Sequence, residues 1–135
     1  MTGTGGCLCG AVRFTVDAPM RPVIACHCAQ CRRSSGNHVA ATSAPRDAVT
    51  VTGELRWFRS SDTARRGFCP TCGAPLFWDG PGVNLSIMAG ALDLPTGLSL
   101  AGHIFCADKA DWYEIAGDLP QAAGADPVLT TQVPS

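Results

Sequence analysis

The sequence predicts a mainly β fold: a single small domain of short antiparallel strands that needs cross-links to hold it. Fifteen glycines and ten prolines spread through 135 residues favour short strands and turns over long helices. Aromatic residues make up only 7% of the chain, so the core must rely on small aliphatic side chains. A domain of this size has a modest core and gains from stapling. The third observation is alternation. Val12, Phe14 and Val16 interleave with Ala11, Arg13 and Thr15, the period-2 pattern of a half-buried strand.

Pro19 and Pro22 end that strand, and residues 23–25 lead into Cys26. Residues 29–35 read as one helical turn closed by Gly36. Strands are expected over residues 39–43, 48–52 and 54–59, with Pro45 and Gly53 between them. Residues 67–73 read as a turn, followed by a strand at 74–78 and a break at 79–82. Residues 83–89 alternate again, 100–106 are expected to be the last strand, and 111–115 a brief helix. Beyond Gly117 the composition turns to Gly, Pro, Ala and Thr. The reading therefore places the domain at residues 1–120 and a flexible C-terminal tail at 121–135.

Net charge is −1, but its sign changes along the chain. Residues 1–66 carry nine arginines against four acids, a net +5, and residues 67–135 carry Lys109 against seven acids, a net −6. Nucleic-acid binders show a clear basic excess, so no nucleic-acid partner is expected. The basic half could still form a pocket for a small anion. The start, MTGTGGCLCG, lacks a charged n-region and an apolar run, and no apolar stretch approaches the roughly 18 residues of a spanning helix. No membrane partner and a cytoplasmic location are expected, and in a reducing cytosol thiols persist.

That setting governs the cysteines. Seven of the eight fall in three tight groups: Cys7-Leu8-Cys9, Cys26-His27-Cys28-Ala29-Gln30-Cys31 and Cys69-Pro70-Thr71-Cys72-Gly73. The spacings suit tetrahedral zinc, whose bonds of about 2.3 Å hold two thiolates roughly 3.8 Å apart. In C-x-C on extended chain, side chains i and i+2 share a face about 6.7 Å apart, and leaning sulfurs close the gap. In C-x-x-C the chain curls so that backbone N–H groups point at sulfur, and Gly73 supplies the turn; Gly6 and Gly10 fit the same logic around the first pair.

Cys7, Cys9, Cys69 and Cys72 together complete a closed four-sulfur structural zinc site, with a pair of redox dithiols as the alternative. Cys26, Cys28 and Cys31 remain as three ligands, the number with which catalytic zinc is built when one position stays open. The alternative is closure by Cys106 or a histidine, although Cys106 in an apolar stretch reads as a buried hydrophobe. His27 is expected to point away from the metal.

Three thiolates donate heavily to zinc, so such an ion acidifies water less than a three-histidine site does. It suits capture of a thiol held as a nucleophilic thiolate, and carbon–sulfur bond making or breaking with a small aldehyde follows. Arg32 and Arg33 follow Cys31, and Arg65 and Arg66 precede Cys69. Arginine pairs with carboxylates, so these residues are candidates to hold an anionic thiol such as glutathione. Competing readings are a non-catalytic zinc module that binds a protein, and a redox or metal-handling protein that uses the 26/28/31 cluster.

Taken in order, GGCLCGAVRF, CHCAQCRRSSG, RRGFCPTCGAPLFW and HIFCADKADWYEIAGDLPQ closely resemble the glutathione-dependent formaldehyde-activating enzyme family, whose domain also occurs in centromere protein V. The resemblance runs from about Gly6 to Gln121. It implies a fold of the beta-tent type, a structural zinc on Cys7, Cys9, Cys69 and Cys72, and a catalytic zinc on Cys26, Cys28 and Cys31 that takes the glutathione thiol. The implied activity is condensation of formaldehyde with glutathione to S-hydroxymethylglutathione, by a carbon–sulfur lyase with two zinc ions.

Overall fold

A computed structural model describes residues 3–131. Strands β1 (Gly3–Gly6), β2 (Arg13–Val16) and β5 (Val49–Thr52) form one sheet in the order β1-β2-β5. The second sheet has seven strands: β3 (Val23–Cys26), β4 (Val39–Pro45), β6 (Arg56–Arg59), β7 (Arg65–Phe68), β8 (Pro75–Asp79), β9 (Asn84–Met88) and β10 (Leu100–Ile104). Their order is β10-β3-β4-β9-β8-β7-β6. One helix, α1 (Ala29–Ser35), follows β3, and a four-residue helix, α2 (Pro127–Thr130), lies near the C-terminal end.

Alternation decides which face of each strand meets the core. Phe14 and Val16 on β2 are buried while Arg13 and Thr15 are exposed, as the sequence predicts. They pack with Leu76, Phe77, Leu85 and Ile87 of the larger sheet, and Phe14 meets Phe77 edge-on at 5.1 Å between ring centroids. Val39, Ala41 and Ser43 of β4 and Ser86 and Met88 of β9 point the other way, into a cavity. The central strands thus carry the apolar core on one face and the cavity on the other.

Several expectations change. Strand β7 and the GTGG strand β1 were not foreseen, because neither shows apolar alternation; backbone pairing defines them. The strand expected over 54–59 begins at Arg56. The sheets are not purely antiparallel, since β10 runs parallel to β3, a pairing that joins distant parts of the chain. Residues 111–115 form no helix: Tyr113 N–H donates to the Ala110 carbonyl at 3.3 Å in a single turn, and Lys109 Nζ donates to the Tyr113 carbonyl at 2.7 Å.

The expected tail is packed over residues 121–131. His103 N–H donates to the Pro120 carbonyl at 2.8 Å, Ala122 N–H to that of His103 at 2.9 Å, and Phe105 N–H to that of Gly124 at 2.9 Å. Asp126 caps α2 by accepting from Val128 N–H at 3.1 Å, and Leu129, 5% exposed, packs with Ile24 and Ile104. Backbone pairing to β10 overrides a composition that reads as loose. Residues 132–135 of the expected tail lie outside the described residues.

Candidate metal centre

The first sulfur group forms where two turns meet. Cys7 and Cys9 sit between β1 and β2, and Cys69 and Cys72 between β7 and β8. All four sulfurs lie within 4.8 Å of one another, with Cys7–Cys9 at 3.6 Å and Cys9–Cys69 at 3.8 Å. That matches the roughly 3.8 Å expected between thiolates on one tetrahedral ion of the zinc type. Gly10 and Gly73 take the positive φ that lets each turn fold back, at 83° and 76°. Gly6 does not; it is an ordinary β1 residue paired with Arg13. Backbone N–H groups reach sulfur, from Val12 to Cys7 at 3.2 Å and from Thr71 to Cys69 at 3.4 Å. Cys69 is fully buried at the edge of the main core.

The second group gathers Cys26, Cys28 and Cys31 within the same 4.8 Å. Cys26 ends β3. Cys28 caps α1, its sulfur accepting from Cys31 N–H at 3.4 Å, and Cys31 faces inward from the first turn. Among the described residues no fourth cysteine, histidine or carboxylate joins the group. Cys106 belongs to neither cluster; it begins a short turn after β10, and burial pushes its thiol up. His27 is buried beside His103, with Nε2 and Nδ1 3.0 Å apart, and stacks near His38 and Tyr113.

The thiols show how crowded the sulfurs are. Burial pushes Cys7 up, but the Val12 N–H and the Cys9 and Cys69 sulfurs outweigh it and bring it to about 6. Cys9 rises to about 11: the Ala11 N–H pulls it down, while burial and the neighbouring sulfurs win. In the second group the Cys31 contact, then burial, raises Cys26. Cys31 falls to about 6, through the Cys26 contact against burial, with Cys28 and Arg66 helping. Each group thus divides protons among its sulfurs, and a cation replaces those protons when it binds.

Beside the second group opens a cavity of about 750 Å³, with all three cysteines in its wall. Most of the remaining wall is apolar, including Val39, Trp78, Met88 and Ile104. Of the arginines the sequence nominates, only Arg66 lines it; Nη2 lies 3.8 Å from Cys31 Sγ and 3.3 Å from Gln30 Oε1. Arg65 instead covers the Trp57 ring at 3.9 Å and pairs with Asp79 at 2.9 Å. Arg32 is half-buried and Arg33 exposed on α1, and neither lines the cavity, because the helix turns Cys31 inward and carries the next two side chains away. Arg21, which no motif marks, does line it. No helix among the described residues is long and apolar enough to cross a membrane.

These features define a class: a small β domain with two cysteine clusters able to hold metal, one of them at the wall of a cavity. The family model for the glutathione-dependent formaldehyde-activating enzyme matches residues 2–108, and the chain belongs to that family. A Halomonas elongata protein bearing the same family name is 30% identical over 125 residues, covering 82% of this chain and 79% of the relative.

Proposed function

We propose that the chain joins a thiol to an aldehyde through a carbon–sulfur bond, with glutathione and formaldehyde as the pair. The observation that carries this reading is a three-sulfur group, with no fourth ligand among the described residues, at the wall of a roomy cavity. The family's name supplies the substrates. Cys26, Cys28 and Cys31 would hold a zinc ion, which would supply Lewis acidity toward a thiol brought to the cavity. A second zinc on Cys7, Cys9, Cys69 and Cys72 is structural and staples a beta-tent domain.

In the reaction the glutathione sulfur attacks the formaldehyde carbon, a carbon–sulfur bond forms, and the thiol proton ends on the former carbonyl oxygen. S-hydroxymethylglutathione results, and the same steps reversed release the aldehyde, the lyase direction. Arg66, beside Cys31, offsets the negative charge that three thiolates bring together.

The test is exchange spectroscopy by NMR between formaldehyde and its glutathione adduct, with zinc content measured. Catalytic amounts of protein accelerate the exchange on this reading. No acceleration by zinc-loaded protein excludes this substrate pair.

A further inference from the structure

The cavity wall also holds a buried cation with no carboxylate partner among the described residues. Arg21 is 8% exposed. Its Nη1 donates to the Pro22 and Ala41 carbonyls, each at 3.0 Å, while its Nε is buried without a partner. Arg13, Arg46 and Arg65 each pair with an aspartate nearer the surface; no ion pair among the described residues includes Arg21. Burial also pulls its pKa down, the signature of a charge poorly solvated where it sits. A buried ion without a counterion is costly, so its place in a cavity wall points to an anion arriving with the ligand. Among the described residues, and apart from the three cysteines, the only other charged side chain in that wall is Arg66, and no carboxylate lines it.

The register places this cation relative to the sulfurs. On the β3–β4 pair Cys26 stands opposite Val39 and Ile24 opposite Ala41, whose carbonyl the guanidinium grips. Two strand residues separate those rows, roughly 7 Å along β4. An extended peptide advances about 3.3–3.6 Å per residue, so one residue beyond a cysteinyl residue covers about half of that distance, and the thiol side chain and the carboxylate's hydrogen bond to the guanidinium cover the rest.

We propose that Arg21 is the carboxylate anchor of the cavity, so that the bound thiol is a short thiol acid whose carboxylate pairs with Arg21 while its sulfur meets Cys26, Cys28 and Cys31. This rests on the reading that the three-cysteine group receives a thiol, and it moves acid recognition from Arg32 and Arg33 to a residue outside every motif.

Calorimetry on the zinc-loaded full chain tests it, with glutathione, its glycine ethyl ester, 3-mercaptopropionate and the methyl ester of that acid as probes. Wild type favours each acid over its ester by about tenfold or more. Arg21→Met binds acid and ester alike, and Arg21→Lys keeps part of the preference. Acid and ester binding equally to wild type overturns the proposal, and this comparison stands even where Arg21→Met misfolds. A preference that survives in well-folded Arg21→Met overturns it too. Glyoxylate against methylglyoxal, with mercaptoethanol as an uncharged thiol, forms a further arm. An Arg21-dependent preference confined to glyoxylate puts the carboxylate on the aldehyde and overturns the assignment to the thiol. Arg21-dependent binding of mercaptopropionate without glutathione binding upholds the anchor and removes glutathione from the proposed function. Glutathione binding that ignores Arg21 does the reverse.

Discussion

His27 lies between two metal-ligand candidates, yet its ring is turned into a buried group with His103, His38 and Tyr113. The His27–His103 hydrogen bond needs one ring nitrogen to donate and the other to accept, so both rings cannot be cationic and keep it. Burial, and then the neighbouring His38, hold His103 below the usual 6.5, and burial brings His27 to about 4. As pH falls below 6.5 the unfolded chain therefore takes up protons before the folded one. The stability this pair contributes is complete above that value and is lost toward lower pH. Thermal midpoints of metal-loaded His103→Gln are expected to fall less than those of wild type between about pH 7.5 and 5.5. Equal falls show that the pair does not govern this pH window. At this scale the cysteines were legible, because metal geometry constrains spacing along the chain. Arg66 was legible only as one of four candidate arginines and Arg21 not at all, since an arginine takes its role from the cavity that tertiary packing builds around it.

The elements divide by how local their causes are. Strand β2 was readable because Phe14 and Val16 alternate with polar neighbours, and α1 because Gly36 closes it. Strands β1 and β7 were not, since one is glycine-rich and the other carries Arg65 and Arg66; backbone pairing with the neighbouring strands β2, β6 and β8 makes them strands. The segment after Gly117 misleads for the same reason. Its backbone bonds to β10 and the burial of Leu129 hold it against the edge of the larger sheet. Leu129 packs with Ile24, in the strand that ends at Cys26, so this contact braces the strand that carries a cysteine of the second cluster. Leu129→Ala should destabilise the domain by about 2–5 kcal/mol, the usual cost of emptying a buried leucine site. Chemical denaturation measures it, and a change below about 0.5 kcal/mol restores the view of a loosely held tail.

Across the whole molecule the two cysteine clusters occupy unlike positions. Cys7 and Cys9 come from the three-stranded sheet, and Cys69 and Cys72 from the seven-stranded one, so the four-sulfur group joins the sheets at the edge of their shared core. The 26/28/31 group lies within one sheet and its following helix, on the cavity side. Structural zinc contributes about 10–16 kcal/mol in small domains, which rivals the roughly 5–15 kcal/mol by which whole proteins are stable. On the proposed two-zinc reading, losing an ion from the group between the sheets should therefore unfold the chain, whereas losing one from the cavity-side group should mainly remove thiol binding. Cys69→Ser is expected to give aggregated or unfolded protein. Cys28→Ser is expected to keep the wild-type circular dichroism spectrum and a cooperative melt while glutathione binding disappears from calorimetry. A mild chelator should likewise abolish binding before it abolishes the fold, because the cavity-side group offers three sulfurs to an ion and the other offers four. Equal instability of the two variants, or fold and binding lost at one chelator concentration, contradicts a division between a stapling cluster and a working one.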